Sequence, residues 1–584
     1  MKKKSRTLSL LTPEGERFIN EKPSVPWNIY PRPHLVRDSF FCLNGEWGLD
    51  VKSGDSLSYS GKVLVPFVPE SALSGVEKRF SRGSVLFYSK RFAFSKPEGD
   101  QRVILHFGAV DQIARVRMNS FELGEHAGGY GSFSFDVTDV IREENLIEVE
   151  VRDELEKMIL PYGKQCEKRG GMWYTPISGI WQSVWIECVP REYIKEISFR
   201  TDAHGADLEI AFEGCACDGS VKVSLGDLKR SFEIKDGSAR IEIDEPLFWS
   251  PEDPNLYDVE IIVGEDRVRS YFALRSLEIR EGKSKKRLCL NGSPYFFHGL
   301  LDQGYFSDGI FLPASSHGYE RDITEAKRLG FNMLRKHIKL EPEIFYHLCD
   351  KLGIVVFQDM VNNSDYSFLR DTALPTVGIK KLNDKRLHRD KSTREAFLCA
   401  MDETVRRLSF HPSVCYWTIF NEGWGQFDHA SAYKRLRKLD DSRFIDSVSG
   451  WFLPHKAEEL RSDVESLHIY FKPVTLKSLY TDKPAVLSEF GGYSYKIEGH
   501  SFNLDNNYGY RTFTDGREFE DALEKLYLCE VLPAVENGLC AAVYTQLSDV
   551  EDETNGLMTY DRQMTKVSVE RMKKIAEALY LACE

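Results

Sequence analysis

The sequence lacks the features that mark membrane proteins, metal-cluster proteins and nucleic-acid-binding proteins. No apolar run approaches the roughly 20 residues that a transmembrane helix needs, and the twelve cysteines include no metal-type CxxC pair. The formal net charge of -13 argues against a nucleic-acid binder, which normally has a basic face. We therefore expect no membrane and no nucleic-acid partner, and we expect the cysteines to be reduced.

The N-terminal segment MKKKSRTLSLL is basic, but it has too short an apolar run for the core of a signal peptide. This predicts a cytoplasmic protein. If a signal peptide has been trimmed from the chain, the prediction changes to a secreted or periplasmic one.

The chain is long and apolar enough for several domains. It has 584 residues, of which 42% are hydrophobic and 29% are charged, and single cores stop growing at about 250–300 residues. Aromatic residues make up 12% of the sequence. Their planes suit sugar rings, although packing inside β-sheets is their commoner use.

Three blocks with different apolar patterns follow one another. Short alternating runs such as VLFYSKRFAF and NLIEVEVRDE predict a jelly-roll β-sandwich over residues 1–190. Short strands between Gly and Asp turns predict an immunoglobulin-like β-sandwich over 191–276. From 277 to 584 strands alternate with helices, which predicts a catalytic (β/α)8 TIM barrel. The predicted fold class is thus multidomain, with two β domains and a C-terminal α/β barrel.

The third block contains eight barrel-strand candidates: YFFHGL, FNMLRK, IVVFQD, VCYWTIF, FIDSV, VESLHIY, AVLSEF and AAVYTQ. Active sites of such barrels lie at the carboxyl ends of the strands. The candidate site therefore comprises the polar and aromatic residues near those ends: Asp302, Gln303, Arg335, His337, Asp359, Asn421, Glu422, Trp451, His468, Tyr470, Glu489, Tyr544 and Gln546.

Two glutamates among them end strands that are otherwise apolar. Glycoside hydrolysis needs two carboxyl groups, and in retaining enzymes they lie about 5–5.5 Å apart. We predict that Glu422, at the fourth strand, is the acid/base and that Glu489, at the seventh, is the nucleophile. A glutamate in such a position is more often a helix-cap neighbour or a surface ion pair. The Asn421-Glu422 pair that closes an apolar strand favours catalysis here.

Five further residues of the candidate site are expected to support the two glutamates or to contact the sugar, and some of them have a second, structural interpretation. Asn421 is expected near the sugar 2-hydroxyl, and Tyr470 is expected to donate a hydrogen bond to the nucleophile. Arg335 pairs with an active-site carboxylate or forms a salt bridge at the barrel rim. Tyr470, Tyr544 and Trp451 are sugar platforms or core residues.

The remaining candidates complete a substrate site without a metal. Asp302 and Asp359 are predicted to bind substrate. His337 and His468 are interpreted as hydrogen-bonding residues at this site, because no carboxylate and histidine cluster has metal-ligand spacing. We therefore predict no metal and no other cofactor. The acidic run after the eighth strand is interpreted as solvated: Asp549, Glu551 and Asp552.

Several motifs resemble family 2 of the glycoside hydrolases, the group of β-galactosidases, β-glucuronidases and β-mannosidases. The segments LNGEWGLD, VPFVPES and GIWQSVWIE resemble its N-terminal sugar-binding sandwich, and HPSVCYWTIFNEGWGQ and AVLSEFGGY resemble its barrel. The resemblance runs along nearly the whole chain. It implies Glu422 as acid/base and Glu489 as nucleophile, and it places Asn421, Arg335 and Tyr470 at motif positions for substrate binding or nucleophile support.

The sequence departs from the family pattern where sugars are selected. It reads Lys336-His337-Ile338-Lys339 where galactosidases and glucuronidases have Ser-His-Tyr-Pro, and Gln358-Asp359 where they have Asp-Glu. It reads Asn555-Gly556-Leu557 where glucuronidases have the Asn-x-Lys that binds the sugar carboxylate, which counts against a glucuronidase.

The predicted activity is that of a retaining exo-β-glycosidase on an oligosaccharide or glycoside, with a β-galactoside as the leading substrate. A mannoside, an arabinoside or a glucuronide is the alternative. A carbohydrate-binding protein on an inactive barrel is a further hypothesis, although binding alone does not need both carboxyl groups. A homo-oligomer is compatible with the sequence.

Overall fold

The computed structural model describes residues 6–81, 83–96, 99–215, 218–282, 285–376, 379, 383–450, 452–476, 479 and 481–583. Trp451, which was predicted as a sugar platform, lies outside the described residues. Nine cysteines of the described ranges are free thiols: Cys42, Cys166, Cys188, Cys289, Cys349, Cys399, Cys415, Cys529 and Cys540. Within the same ranges, no helix combines the length and the apolar character that crossing a membrane would take.

The N-terminal block is a two-sheet sandwich preceded by helix α1 (Pro13–Glu21). Its strands are β1 (Phe40–Cys42), β2 (Gly45–Ser53), β3 (Ser56–Val65), β4 (Ser84–Ala93), β5 (Gln101–Phe107), β6 (Val110–Asp111), β7 (Ile113–Met118), β8 (Phe121–Ala127), β9 (Phe133–Asp136), β10 (Glu144–Arg152), β11 (Gly179–Ile180) and β12 (Val184–Pro190). A six-stranded sheet, β3-β2-β4-β10-β7-β8, faces a four-stranded sheet, β1-β12-β5-β9. Alternate residues of both sheets point into one apolar core, as the period of two in the strands dictates.

The second block is a smaller sandwich. Its strands are β13 (Tyr193–Asp202), β14 (Gly205–Glu213), β15 (Gly219–Leu225), β16 (Leu228–Ile234), β17 (Ser238–Glu242), β18 (Tyr257–Val263) and β19 (Asp266–Phe272). They form a three-stranded sheet, β13-β14-β17, and a four-stranded sheet, β16-β15-β18-β19, around a separate core. A small sheet of β20 (Leu277–Arg280), β21 (Arg287–Leu290) and β22 (Ser293–Pro294) leads into the third block.

The third block is a nearly closed barrel of eight parallel strands. They are β23 (Phe297–Asp302), β24 (Met333–Lys336), β25 (Val355–Asp359), β26 (Val414–Thr418), β27 (Phe444–Asp446), β28 (Glu465–Ile469), β29 (Ala485–Gly491) and β32 (Leu539–Thr545). Their spatial order is β27-β26-β25-β24-β23-β32-β29-β28. The eight strand predictions are confirmed, and with them the predicted fold class of two β domains and a TIM barrel.

The helices of the third block cover the barrel. They are α2 (Ser316–Arg328), α3 (Glu343–Leu352), α4 (Leu374–Thr376), α5 (Lys391–Leu408), α6 (His429–Leu439), α7 (Gly516–Leu526), α8 (Leu532–Glu536) and α9 (Val569–Cys583). Two short strands, β30 (Tyr493–Tyr495) and β31 (Arg511–Phe513), pair beside the carboxyl ends of the barrel strands. Because the barrel strands are buried on both faces, they read as continuous apolar runs rather than alternating ones.

Candidate active site

The two predicted carboxylates lie at the carboxyl ends of the fourth and seventh barrel strands. Glu489 is within β29, and Glu422 lies four residues beyond β26. The backbone of Glu422 has a φ of +47°, a conformation that non-glycine residues rarely adopt. It is held by a hydrogen bond from Glu422 N to Ser449 O (3.0 Å). Strained backbone of this kind collects at functional sites, where the surrounding structure fixes it.

His468 lies between the two glutamates. Its Nδ1 is 2.9 Å from Glu422 Oε1 and 3.6 Å from Glu489 Oε2, and its Nε2 is 3.1 Å from Ser449 Oγ. One carboxylate oxygen of each glutamate and one His468 nitrogen lie within 4.8 Å of one another. This separation of the carboxylates suits a retaining rather than an inverting arrangement, which needs about 6.5–9.5 Å for an intervening water.

Arg335, at the end of β24, joins the nucleophile candidate to its surroundings. Its Nη1 donates to Glu489 Oε1 (3.1 Å) and to Ser488 O (2.9 Å), its Nη2 donates to Asn421 Oδ1 (2.8 Å), and its Nε donates to Asp359 Oδ1 (3.0 Å). The pairing with an active-site carboxylate is therefore the correct one of the two interpretations. Asn421 uses its amide oxygen for Arg335, which leaves its NH₂ group for a substrate hydroxyl.

Tyr470 donates a hydrogen bond to Glu489 Oε2, which is the contact expected from the sequence, and its hydroxyl is 3.2 Å from Thr545 Oγ1. Burial, together with the charge of Glu489, raises the pKa of Tyr470 well above its usual value of 10. The hydroxyl therefore remains protonated, and so a donor, across the neutral pH range. The Tyr510 ring stacks on the Tyr470 ring with a centroid distance of 3.8 Å.

Behind Arg335 lies a carboxylate–imidazole pair. Asp359 Oδ2 is 2.8 Å from His337 Nδ1. Burial acts to raise the pKa of Asp359, but the Arg335 charge and the His337 hydrogen bond outweigh it and hold this pKa below its usual value. Burial lowers the pKa of His337. An ionised Asp359 beside a neutral His337 fixes the guanidinium plane and, through it, the position of Glu489.

Two predicted substrate-binding residues have other surroundings. Asp302 is buried, forms an ion pair with Lys336 and accepts a hydrogen bond from Gly304 N (2.8 Å). These contacts link it to a buried ionic cluster rather than to the two glutamates. Tyr544 has no exposed surface and packs against Phe490. Of the two interpretations of Tyr544, sugar platform or core residue, the core residue is the correct one, because its ring is part of the barrel core.

The interpretation of the acidic run as solvated is wrong. Asp549 is buried against Lys566 Nζ (2.6 Å), and Glu551 accepts a hydrogen bond from Thr175 N (2.9 Å). The next acidic residue, Glu553, is also buried and accepts a hydrogen bond from Tyr174 OH (2.6 Å). The loop after β32 is thus packed against a loop of the N-terminal sandwich, a long-range contact that the sequence pattern did not reveal.

That N-terminal loop, residues 161–178, forms part of the wall of the barrel mouth. Tyr162 OH donates to Ser364 O (2.7 Å) in the loop after β25. The Trp173 ring stacks on Trp424 with a centroid distance of 5.2 Å and meets Tyr366 edge to face at 5.0 Å. Trp424 is two residues beyond Glu422. The aromatic wall beside the acid/base candidate is therefore built by two domains, and sequence reasoning within the barrel missed it.

The same geometry has the donor types of a metal site. Glu422, His468 and Glu489 offer two carboxylate oxygens and an imidazole nitrogen, which divalent cations such as Zn²⁺ accept. Their spacing in sequence gave no sign of this cluster. A cation bound there would occupy the carboxylate oxygens that proton transfer and nucleophilic attack require, so the cluster serves either a metal or this chemistry.

Family models match three parts of the chain. The TIM barrel domain of glycosyl hydrolases family 2 matches residues 283–578, the galactose-binding domain-like model of glycosyl hydrolase 2 matches 70–171, and a further family 2 model matches 195–275. The chain belongs to glycosyl hydrolase family 2. The family predicted from the motifs is confirmed, and the order of the three matches follows the order of the domains.

Curated relatives carry two different activity names. A β-galactosidase of Thermoanaerobacter pseudethanolicus is 27% identical over 389 residues, covering 62% of this chain and 48% of the relative. A β-glucuronidase of Bacteroides fragilis is 27% identical over 371 residues, covering 58% and 51%. The chain thus spans about half the length of these relatives.

A β-glucuronidase structure from an uncultured Clostridium sp. superposes with a TM-score of 0.72 at 20% identity. The superposition covers 94% of this chain and 99% of that one. At this level of identity the likeness extends to the fold alone.

Proposed function

We propose that this protein is a retaining exo-β-glycosidase that removes terminal β-linked sugars by double displacement. The observation that carries the proposal is the placement of a Glu422 and a Glu489 carboxylate oxygen within 4.8 Å of each other at the mouth of the barrel. Two carboxyl groups at that separation can reach one anomeric carbon from opposite sides of the glycosidic bond.

In the first step, a Glu489 oxygen attacks the anomeric carbon and the bond from that carbon to the leaving oxygen breaks. Glu422 gives its proton to the leaving oxygen, and a covalent glycosyl-enzyme forms. In the second step Glu422 takes a proton from water, the water oxygen attacks the anomeric carbon, and Glu489 leaves as a carboxylate. Arg335 and Tyr470 hold Glu489 from both oxygens, so it attacks in a fixed orientation.

His468 contacts both carboxyl groups. The charge of one glutamate therefore influences the protonation of the other. When Glu489 is ionised, its negative charge favours a protonated Glu422. When Glu489 becomes an ester in the intermediate, this repulsion is lost and Glu422 becomes a better base. The short separation thus supports the switch from acid to base that the two steps require.

The substrate expected first from the sequence is a β-galactoside, and the relatives are named both β-galactosidase and β-glucuronidase. We infer that a β-uronide, the alternative expected from the sequence, is the better substrate. It is favoured by the buried ammonium group of Lys164 in the wall of the barrel mouth. The wall from the N-terminal sandwich narrows the mouth and supports action on chain ends rather than on internal linkages.

The proposal is tested with a panel of aryl β-glycosides on the wild type and on Glu489→Gln. The substitution should abolish turnover of every substrate that the wild type accepts, because an amide cannot form the glycosyl-enzyme. The matched control is Glu498→Gln, an exposed glutamate of the same domain, which should behave as the wild type. A Glu489→Gln protein with wild-type activity would refute the proposal, and sugar binding without turnover would favour a binding protein.

A further inference from the structure

Lys164 differs from the other buried cations of the chain. The residue is only 6% exposed, yet among the described residues its ammonium group forms no ion pair within 4.0 Å. The carboxylate on which its charge acts is that of Glu553: burial raises the pKa of this group, and the charge of Lys164 acts to lower it from beyond ion-pair distance. Lysine is almost never buried unless it is paired. The other buried lysines and arginines of the described ranges all have a carboxylate partner: Arg37, Arg335, Lys336, Lys339, Arg443, Arg562 and Lys566.

The ammonium group of Lys164 lies at the mouth of the barrel. Its Nζ is 4.9 Å from the centroid of the Trp424 ring and 5.7 Å from that of the Tyr174 ring. Trp424 follows the fourth barrel strand. Tyr174 donates a hydrogen bond to Glu553, in the loop after the eighth barrel strand. These two strands lie on opposite sides of the barrel. The charge of Lys164 also acts on His337, beyond the second strand.

A donor without a partner lies beside Lys164. The indole nitrogen of Trp424 is buried and has no hydrogen-bond acceptor among the described residues. A buried N–H group without an acceptor is costly for the protein alone, and a buried lysine without an ion pair within 4.0 Å is only partly compensated. A ligand that brings anionic oxygens to this point would satisfy both.

The loop that carries Lys164 is held rigidly. Tyr174 N donates to Lys164 O (3.1 Å), Tyr162 N donates to Asn362 O (3.0 Å), and the Trp173 ring stacks on Trp424. These contacts fix the backbone of the loop, so little of its conformational entropy remains to be lost when an anion binds.

We propose that Lys164, from the N-terminal sandwich, is the residue that selects the sugar, by binding an anionic substituent of the ring held at Glu422 and Glu489. The substrate class is an acidic β-glycoside, whose anionic oxygens belong to the carboxylate of a uronic acid or to a sulfate ester. The assignment rests on the proposed glycosidase function. It gives the chain a route to an anionic sugar that does not use the missing Asn-x-Lys element.

The test compares matched pairs of aryl glycosides that differ only at C6. The pairs are β-galactoside with β-galacturonide, β-glucoside with β-glucuronide, and β-galactoside with its 6-sulfate. The wild type should have a higher kcat/KM on an acidic member. Lys164→Gln should lose about 30-fold or more of kcat/KM on that member, because it removes one partner of a buried charge pair. Its kcat/KM on the neutral member should not fall.

Two controls separate recognition from folding. Lys168→Gln removes the same charge from an exposed position of the same loop and should leave both members unchanged. Lys164→Arg should restore part of the preference, since it restores the charge. Comparison of the β-galacturonide pair with the 6-sulfate pair shows whether the anion that Lys164 binds is a carboxylate or a sulfate. Equal losses on neutral and acidic members, or a wild type that prefers the neutral member, would overturn the assignment.

Direct binding keeps the assignment testable if the proposed function fails. Titration calorimetry with free galacturonate and galactose needs no turnover. A wild type that hydrolyses no glycoside but binds galacturonate more tightly, with the difference lost in Lys164→Gln, would refute the glycosidase and support the Lys164 site. A wild type that hydrolyses glycosides but binds both sugars equally would refute the Lys164 site alone.

Discussion

Removal of the Tyr470 hydroxyl should slow the second chemical step more than the first. The hydroxyl donates to Glu489 Oε2, while Arg335 Nη1 holds Oε1 at 3.1 Å. In Tyr470→Phe the carboxylate therefore keeps its orientation but loses one donor. During attack Glu489 loses its negative charge, so the missing donor matters little. During departure from the intermediate the negative charge returns, and the donor is needed.

The expected magnitude follows from the strength of one hydrogen bond to a charged group, about 1.5–3 kcal/mol. At 1.36 kcal/mol for each factor of ten, kcat should fall about 10- to 150-fold. KM should fall with it, because the glycosyl-enzyme accumulates, and kcat/KM should change much less. The raised pKa of Tyr470 keeps the hydroxyl protonated, so the effect should not vary with pH across the neutral range.

Stopped-flow measurement of aglycone release from an activated aryl glycoside would check this prediction. Tyr470→Phe should show a burst of aglycone followed by a slow steady state. Tyr510→Phe is the matched control, because Tyr510 stacks on Tyr470 at 3.8 Å and its hydroxyl makes no hydrogen bond within the described residues. An unchanged kcat in Tyr470→Phe, or the same burst in Tyr510→Phe, would refute the reasoning.

Three further predictions concern the acid, the nucleophile support and a buried acid. Glu422→Gln should lower kcat/KM about 100- to 10,000-fold on glycosides with poor leaving groups, which need the acid. It should lower kcat/KM little on glycosides with dinitrophenyl leaving groups. The same loss on both kinds of glycoside would contradict this prediction. Arg335→Lys should lower kcat/KM more than about 100-fold, because lysine cannot donate to Asp359, Asn421 and Glu489 together; near-normal activity would contradict this. Burial raises the pKa of Asp446 from 3.8 to about 6, so the wild type loses stability as pH rises through that window. The thermal midpoint of D446N should therefore rise relative to the wild type between pH 4 and 7, and a constant difference would contradict the shift.

The fold followed from local patterns. Each barrel strand is an apolar run of the right length with a helical pattern after it, and each sandwich strand alternates with a period of two. The glutamates could be found because each ends an apolar strand at the active end of the barrel. Arg335 and Tyr470 were found for the same reason, since their positions at strand ends are fixed by the strands themselves.

The remainder of the site depends on contacts between domains and loops, which strand patterns do not encode. Lys164 and Trp173 lie more than a hundred residues before the barrel strands that they face. Glu551 was interpreted as part of a solvated acidic run because its partner, Thr175, belongs to another domain. Tyr544 was left with two interpretations because a strand-end aromatic ring can turn inwards or outwards, and only packing decides which.

The central claim is that two carboxyl groups within 4.8 Å act on one anomeric carbon in two displacements. Proton NMR of the first minutes of hydrolysis, with any glycoside from the panel that is turned over, tests it most directly. The account predicts that the β-anomer of the free sugar forms first and that the α-anomer follows by mutarotation. Initial formation of the α-anomer would show a single displacement by water and would contradict the account.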